Sequence, residues 1–525
     1  MTILPSKPLS IILIVLDTHR YDRLGVYGWK RGTTPNLDAF ASSATVFDRA
    51  IAPAQWTIPS HASMFTGLPP STHQTTQANS ILDSRFPTLA ELLTQHEYET
   101  VGFCNNPLVG LIDNQLKRGF KSFYNYSGTL PNIPTDFPDA SLFPYIRLWE
   151  KSLKIVRKVV DSIQNQFAMN TNFLQAAVNP LFVPLWSSFV NFKGNTSQSI
   201  HHISQYLSKK SNRSIQEPFF LFLNLMETHL PFNPPARFVR QFAPAYWDDP
   251  RGAKFIKNFN KLAMHWLIPL KQPFNPLEAQ VISEMYDAEV AYQDYLFYEL
   301  LEQLQKPAIR DHCLVIITAD HGEMLGEHQF MGHGFGVYRE LIQVPLMIRS
   351  PGQTVGSRIS KPVLTTRLFH TILSAAGVDS ITLPSGVETA PHAMSLLAVS
   401  SEPERERIKV ISEAYAPQDA IRMMERREPE LIEPLHTRQT HRAYYTDEVK
   451  LYSIDGISNT LLDHEDQRIS PGRVDETYLL ETLIANLKDF IQESREGRPQ
   501  GWTTPTADLS NPLIEQRMRD LGYMI

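Results

Sequence analysis

Up to about position 350 the chain keeps returning to short apolar runs that end on polar, ligand-capable residues. Ser10-Ile-Ile-Leu-Ile-Val-Leu ends at Asp17, Thr100-Val-Gly-Phe-Cys at Asn105 and Asn106, and Pro218-Phe-Phe-Leu-Phe-Leu-Asn-Leu-Met in the exit stretch Glu227-Thr-His-Leu-Pro-Phe. Cys313-Leu-Val-Ile-Ile-Thr-Ala ends at Asp320-His321-Gly322-Glu323, and Val344-Pro-Leu-Met-Ile-Arg is a further run. Runs apolar on both faces are the signature of central parallel strands covered by helices on each side. Thr45–Ala50 adds another strand. Helical spacing predicts intervening helices from Thr34-Pro-Asn-Leu-Asp to Ala44, over 87–96, over Leu277–Leu304, and from Thr366 to a stop at Gly377. The alternation predicts an α/β fold, a large mixed, mostly parallel sheet sandwiched by helices. Such sheets place their ligands at the carboxyl ends of the strands.

The pattern changes twice. Between about 127 and 216 the main unit (residues 1–390) carries an insertion with an amphipathic basic helix over Trp149–Ile163 and an aromatic run over Phe182–Phe192. It reads either as a lid or membrane-surface contact, or as helices packed on the main body. Beyond 390, Val410–Tyr415, His441–Tyr445 and Val449–Ile454 are short strands with polar breaks, followed by a helix over Glu476–Glu493. Residues 391–493 are therefore expected to form a small antiparallel sheet subdomain, and 494–525 a surface arm.

Composition narrows the partners. The 525 residues carry 49 basic and 55 acidic side chains, a net charge of −6 without a basic block, which argues against nucleic acid. The two cysteines, Cys104 and Cys313, each lie inside an apolar run and read as core thiols, not a disulfide or zinc framework. The first apolar run is too short to span a bilayer and lacks a cleavage site, so the expected location is the cytoplasm.

The chemistry centres on Ala52–Gly67. Pro59 suits the first residue of a helix over Ser60–Thr66, with Gly67 as its stop. That places Thr57 just ahead of a helix N-terminus, where free N–H groups and the dipole favour an anion; the plainer reading is a turn cap. Asp17, Asp320 and His321 stand at strand exits. Two carboxylates and an imidazole form a mixed oxygen/nitrogen set that suits Mn²⁺ or Zn²⁺ better than Ca²⁺ or Mg²⁺. With Thr57 as fourth ligand, one divalent metal ion would lower the pKa of its hydroxyl.

Val15-Leu-Asp17-Thr-His-Arg-Tyr-Asp-Arg-Leu-Gly-Val-Tyr-Gly, Thr34-Pro-Asn-Leu-Asp, Thr57-Ile-Pro-Ser-His with Thr66-Gly67, Thr88-Leu-Ala-Glu-Leu-Leu and Asp320-His-Gly-Glu-Met-Leu-Gly-Glu-His follow one another in order. As a set they resemble the sulfatase branch of the alkaline phosphatase superfamily. The resemblance covers most of residues 10–380. It implies that fold, metal-dependent ester hydrolysis, Asp17, Thr57, Asp320 and His321 around the metal, and Thr57 as nucleophile. It further implies that His229 contacts the leaving group or transferred oxygens, and that His333 stands where many sulfatases carry an anion-binding Lys, with a structural role equally open. Asn105 and Asn106 are assigned to a turn, or to anion contact, and His328 and Glu323 to shaping the loop.

The departures from the family pattern set the expected chemistry. Sulfatases proper carry a Cys or Ser, converted to formylglycine, where Thr57 stands, and an Arg where His61 stands. Threonine cannot give that aldehyde, so no formylglycine is expected. Asp17 is followed by Thr18, and His321 stands where calcium-dependent sulfatases usually have Asn. Both changes resemble phosphonate monoester hydrolases and threonine-nucleophile lipoteichoic acid synthases, which use Mn²⁺ or Zn²⁺. The expected activity is hydrolysis or transfer of a phosphodiester or phosphonate monoester, with a small or lipid-like anionic substrate. The alternatives are a sulfatase without formylglycine, or a non-catalytic protein that binds an anion or lipid headgroup.

Overall fold

The computed structural model describes residues 8–77, 80–110, 112–126, 193–212, 217–261, 266–401, 408–469, 476–499 and 501–502. The expected Trp149–Ile163 helix, the Phe182–Phe192 run and most of the 494–525 arm lie outside them.

Eight strands form the main sheet: β1 (Ser10–Leu16), β2 (Thr45–Phe47), β3 (Glu99–Cys104), β4 (Ser122–Asn125), β5 (Phe219–Leu225), β6 (Cys313–Thr318), β7 (Leu346–Arg349) and β8 (Ser357–Ile359). Their order is β8-β2-β7-β6-β1-β5-β3-β4. β1 lies at the centre, parallel to β5 on one side and β6 on the other, with Ile11 opposite Phe220 and Leu314. Only β7 runs against its neighbours β2 and β6. The expected mixed, mostly parallel sheet is therefore present.

The helices that position the site or cover the sheet are α1 (Pro35–Ala41), α2 (Thr57–Thr66), α3 (Thr196–Asn212), α4 (Pro276–Leu304), α5 (Arg367–Ala375) and α6 (Glu476–Glu496). Alternation along the strands divides the core. Ile11, Leu13, Val15, Phe220 and Phe222 pack against Ile58 and Phe65 of α2 and Leu368 and Phe369 of α5. Ile12, Ile14, Leu16, Leu221 and Leu223 face Ile203 and Leu207 of α3 and Phe297 and Leu300 of α4. Successive side chains of a strand point to opposite faces, so one unbroken apolar run feeds both layers.

Three local expectations change. α1 ends at Ala41 instead of Ala44, because the Ser42 and Ser43 hydroxyls donate to the carbonyls of Ala39 and Phe40 and compete with the helix. The stretch 45–50 splits, Ala50–Ile51 joining a separate three-stranded sheet with Gln343–Val344 and Val363–Leu364. Pro345, with no N–H to give a ladder, separates Gln343–Val344 from β7.

The C-terminal sheet is antiparallel in simple order: β9 (Val410–Ala414), β10 (His441–Tyr445), β11 (Lys450–Ile454) and β12 (Ser458–Leu462), the last beyond the three strands read from sequence. α6 covers it through Leu483, Leu487 and Phe490 against Ile411 and Leu451.

Candidate active site

α2 begins at Thr57, not after Pro59, so Thr57 is the first residue of the helix and not a residue ahead of it. Pro59 is tolerated at the third position because the opening N–H groups of a helix have no intrahelical acceptor anyway; the first helical bond runs from Ser60 N–H to Trp56 O. The helix is buried along its whole length and stops at Gly67 in the left-handed conformation, as expected. The N–H groups of Thr57 and Ile58, in the first turn, have no acceptor within the helix.

Asp17 follows β1, and Asp320 and His321 follow the adjacent β6. Each of the three offers a ligand atom within 4.8 Å of the others, and all three are buried. Thr57 Oγ1 lies 3.1 Å from His321 Nε2. His321 Nδ1 is 2.9 Å from the Gly322 carbonyl, which can only accept, so the proton sits on Nδ1 and Nε2 presents a lone pair. That lone pair faces Asp320 Oδ2 at 3.3 Å. Asp320 Oδ1 accepts from the N–H groups of Thr18 (3.2 Å) and His321 (3.0 Å). Thr18 is held at φ 57°, a left-handed conformation uncommon outside glycine, and Tyr286 donates to its carbonyl at 2.8 Å. Asp17 Oδ2 accepts from Asn106 Nδ2 (2.6 Å) and Asn224 Nδ2 (3.1 Å).

Asp17 Oδ1 and Asp320 Oδ2 are buried with no hydrogen bond to them. Burial, and then the charge of Asp320, raise the Asp17 carboxyl above its usual range. Burial likewise pushes Asp320 up to about 7. It lowers His321 to about 4 and so keeps the ring neutral, the ligating form. Two orphaned carboxylate oxygens and a lone pair, all convergent, are the arrangement a divalent cation satisfies. The residues present therefore fit a metal ion.

A row of rings extends from this centre. His333 lies 4.4 Å from His321 between ring centroids, and His229 lies 5.1 Å from His333. His229 Nδ1 donates to the Leu230 carbonyl at 2.7 Å, while its Nε2 is buried without a partner. All six residues singled out from sequence (Asp17, Thr57, His229, Asp320, His321 and His333) thus gather at one end of the sheet.

Other residues around the site were given only a minor role from sequence, or none. Glu323 is more than a loop-shaping residue: its Oε1 lies 2.8 Å from His333 Nδ1, and burial pushes its carboxyl up to about 7. Burial and then the nearby His229 hold His333 well below the usual histidine range. His61, one turn along α2, donates from Nδ1 to the Thr57 carbonyl at 2.9 Å and lies 3.6 Å from Asp320 Oδ2. Asn106 accepts from Leu108 N–H in the expected turn role, and it also donates to Asp17, a partner not read from sequence. Asn105 instead bonds Thr196 and Ser199 of α3. Asn224 had a signal in sequence, a single amide inside the apolar run of β5. His328 stacks on Tyr338 at 4.0 Å, in keeping with loop shaping.

A buried hydroxyl at a helix N-terminus beside two carboxylates and an imidazole, on this sheet, defines a metal-dependent ester hydrolase of the alkaline phosphatase superfamily. The chain belongs to the sulfatase family, whose sequence profile matches residues 10–378. It is 23% identical to the uncharacterized sulfatase YidJ of Escherichia coli (strain K12) over 383 residues, 71% of this chain and 69% of that protein. It is 26% identical to iduronate 2-sulfatase of Homo sapiens over 390 residues, 69% of this chain but only 63% of the relative. The phosphonate monoester hydrolase of Agrobacterium radiobacter shares the fold at a TM-score of 0.61 and 19% identity, covering 93% of this chain and 96% of that one. Among the described residues no helix is long and apolar enough to cross a membrane.

Proposed function

We propose that this protein is a metal-dependent hydrolase or transferase of phosphodiesters or phosphonate monoesters, with Thr57 as the nucleophile. The observation that carries the reading is the Thr57 hydroxyl itself, 3.1 Å from His321 Nε2 at the start of a buried helix, in a position where the resemblance calls for a residue convertible to an aldehyde. A phosphorylated threonine is released by in-line attack of water or an alcohol, whereas a sulfated one lacks the elimination route that formylglycine provides.

Asp17, Asp320 and His321, with Thr57, would hold Mn²⁺ or Zn²⁺. Such an ion supplies charge neutralisation and a lowered hydroxyl pKa. With the His321 Nε2 lone pair and the Asp320 oxygen taken up in holding the ion, the Thr57 proton leaves to solvent water. Thr57 Oγ1 then forms a bond to phosphorus as the bond to the leaving oxygen breaks, and the N–H groups of Thr57 and Ile58 face the equatorial oxygens. Because Nδ1 of His229 is committed to Leu230, its Nε2 is the atom that hands a proton to the leaving oxygen. The neutral ring then takes a proton from the water that frees the threonine. His333, oriented by Glu323, steadies the transferred oxygens.

The substrate is a small or lipid-like anionic ester, and the location is cytoplasmic. The second reading, a sulfuric ester hydrolase without formylglycine, draws support from the sulfatases among the relatives. The two separate in one screen: p-nitrophenyl phosphomonoester, phosphodiester, phenylphosphonate and sulfate, each with Mn²⁺, Zn²⁺, Ca²⁺ or chelator. The expected result is metal-dependent turnover of the diester or phosphonate that falls on the order of 10³-fold or more in Thr57→Ala. Preference for the aryl sulfate favours the second reading. Undiminished turnover in Thr57→Ala overturns both, and no turnover of any ester leaves an anion- or headgroup-binding protein.

A further inference from the structure

The loop that carries His229 runs from the end of β5 to the helix Ala236–Phe242. One buried ion pair grips it on both sides of the histidine. Lys193 Nζ donates to the Glu227 carbonyl at 2.6 Å and to Glu289 Oε1 at 2.5 Å. The same Glu289 oxygen accepts from the Asn233 backbone N–H at 2.6 Å. Lys193 is 6% exposed and Glu289 0%. Glu289 projects from the middle of α4 and Lys193 precedes α3, so the pair adds polar anchors to a loop that α4 already meets by packing, Tyr286 against Phe232. Inside the loop, Thr228 Oγ1 donates to the Asp17 backbone carbonyl at 2.6 Å, which ties it to the main chain at the exit of β1 as well.

Apolar side chains of similar volume would fill this space, but they offer no bond to a carbonyl on one side of the histidine or to an N–H on the other. A charge-assisted pair does both, with stricter direction than packing gives. We infer that Lys193 and Glu289 are positioning residues, an internal clamp that holds Glu227 and Asn233 in place so that His229 Nε2 stays aligned with the leaving oxygen. The inference rests on the role of His229 given under the proposed function. A displacement of about 1 Å at such a group costs on the order of a hundredfold in rate.

The test uses the full chain with Lys193→Met, Glu289→Gln and the charge-conserving Lys193→Arg. Hydrogen exchange reads the clamp without reference to activity: amides of 226–233 should exchange at least about tenfold faster in Lys193→Met, with those of β5 unchanged. Turnover of aryl phosphodiesters with phenols of graded acidity reads the consequence. The least acidic phenol should lose about tenfold or more and the most acidic little, since only the former needs the proton. Lys193→Arg should restore most of the loss, and Lys193→Met should add nothing in a His229→Ala background. Unchanged exchange overturns the clamp whatever the activity. A loss uniform across the phenols, or one that persists in full without His229, overturns its positioning role. Absence of all phosphoester turnover in the unaltered protein would instead refute the proposed function, with exchange still deciding the clamp.

Discussion

Asp320 and His321 are neighbours in sequence and in space, yet burial drives their proton affinities in opposite directions. The Asp320 carboxyl moves from its usual 3.8 up to about 7, and the His321 ring from 6.5 down to about 4. Between pH 3.8 and about 7 the folded protein holds an Asp320 proton that the unfolded chain releases, so this group's contribution to stability falls as pH rises. His321 contributes the reverse between about 4 and 6.5, because the unfolded chain binds the proton there and the folded one does not. The two oppose each other over most of that window, and the bare pH–stability curve is a poor probe of the site. The increment a cation adds is a better one, since binding must displace the Asp320 proton while His321 is already neutral. The gain in melting temperature from Mn²⁺ or Zn²⁺ over chelator should therefore grow with pH up to about 7 and flatten above it. Asp320→Asn should remove most of the gain at every pH. Thermal melts across pH 5–8 decide it: a gain independent of pH would mean that the cation does not compete for this carboxylate.

At the scale of elements, the turn after β6 depends on a glycine for lack of room, not for an unusual φ. A Cβ at Gly322 would stand 2.0 Å from the Glu340 carbonyl oxygen, and Gly322 N–H bonds the Leu341 carbonyl at 2.7 Å. Gly322→Ala must push the turn away from Glu340 and carry His321 with it. It should cost roughly 1–3 kcal/mol by denaturant titration and remove most of the cation-induced stabilisation. Gly377→Ala, where φ is +76° and no atom lies within 4 Å, should cost stability but leave the cation response intact. Equal effects on the cation response would show that Gly322 serves the fold only. This contrast also marks what the sequence could tell. Asp17, Asp320 and His321 were legible because each ends an apolar run, and in a parallel sheet those ends converge. The true start of α2 was not, since a proline at its third position fits as well as one at its first. The partnership of Glu323 with His333 was not either, because it forms only when Met324–Leu325 and Met331–Gly332 pair as a two-stranded ribbon.

On the scale of the whole molecule, the C-terminal sheet looks peripheral in sequence, but in the structure it supports both sides of the site. Glu413 of β9 donates its N–H to the Pro53 carbonyl at 2.9 Å, just ahead of Thr57, and accepts from Ser71 N–H at 2.8 Å. Lys450 of β11, fully buried, donates to the Val337 carbonyl at 2.9 Å, just past His333, and pairs with Asp466 at 2.7 Å. Asp466 in turn accepts from Arg339 N–H at 2.8 Å. Strand periodicity reveals that such a sheet exists, but not which distant loop it braces, because those contacts join residues more than a hundred positions apart. Burying the Lys450 charge is tolerable only while Asp466 neutralises it. Removing one partner strands the other in a low dielectric, at a cost of about 3–5 kcal/mol. Lys450→Met should therefore lower the urea midpoint sharply, and Lys450→Met with Asp466→Asn should recover much of it, because no lone charge remains. Neither variant restores the bond to Val337, so turnover should stay depressed in the double variant even as stability returns. Urea titration and kcat measured on the same samples separate the two effects. If activity recovers in step with stability, the sheet contributes only to folding, and the His333 loop keeps its place without it.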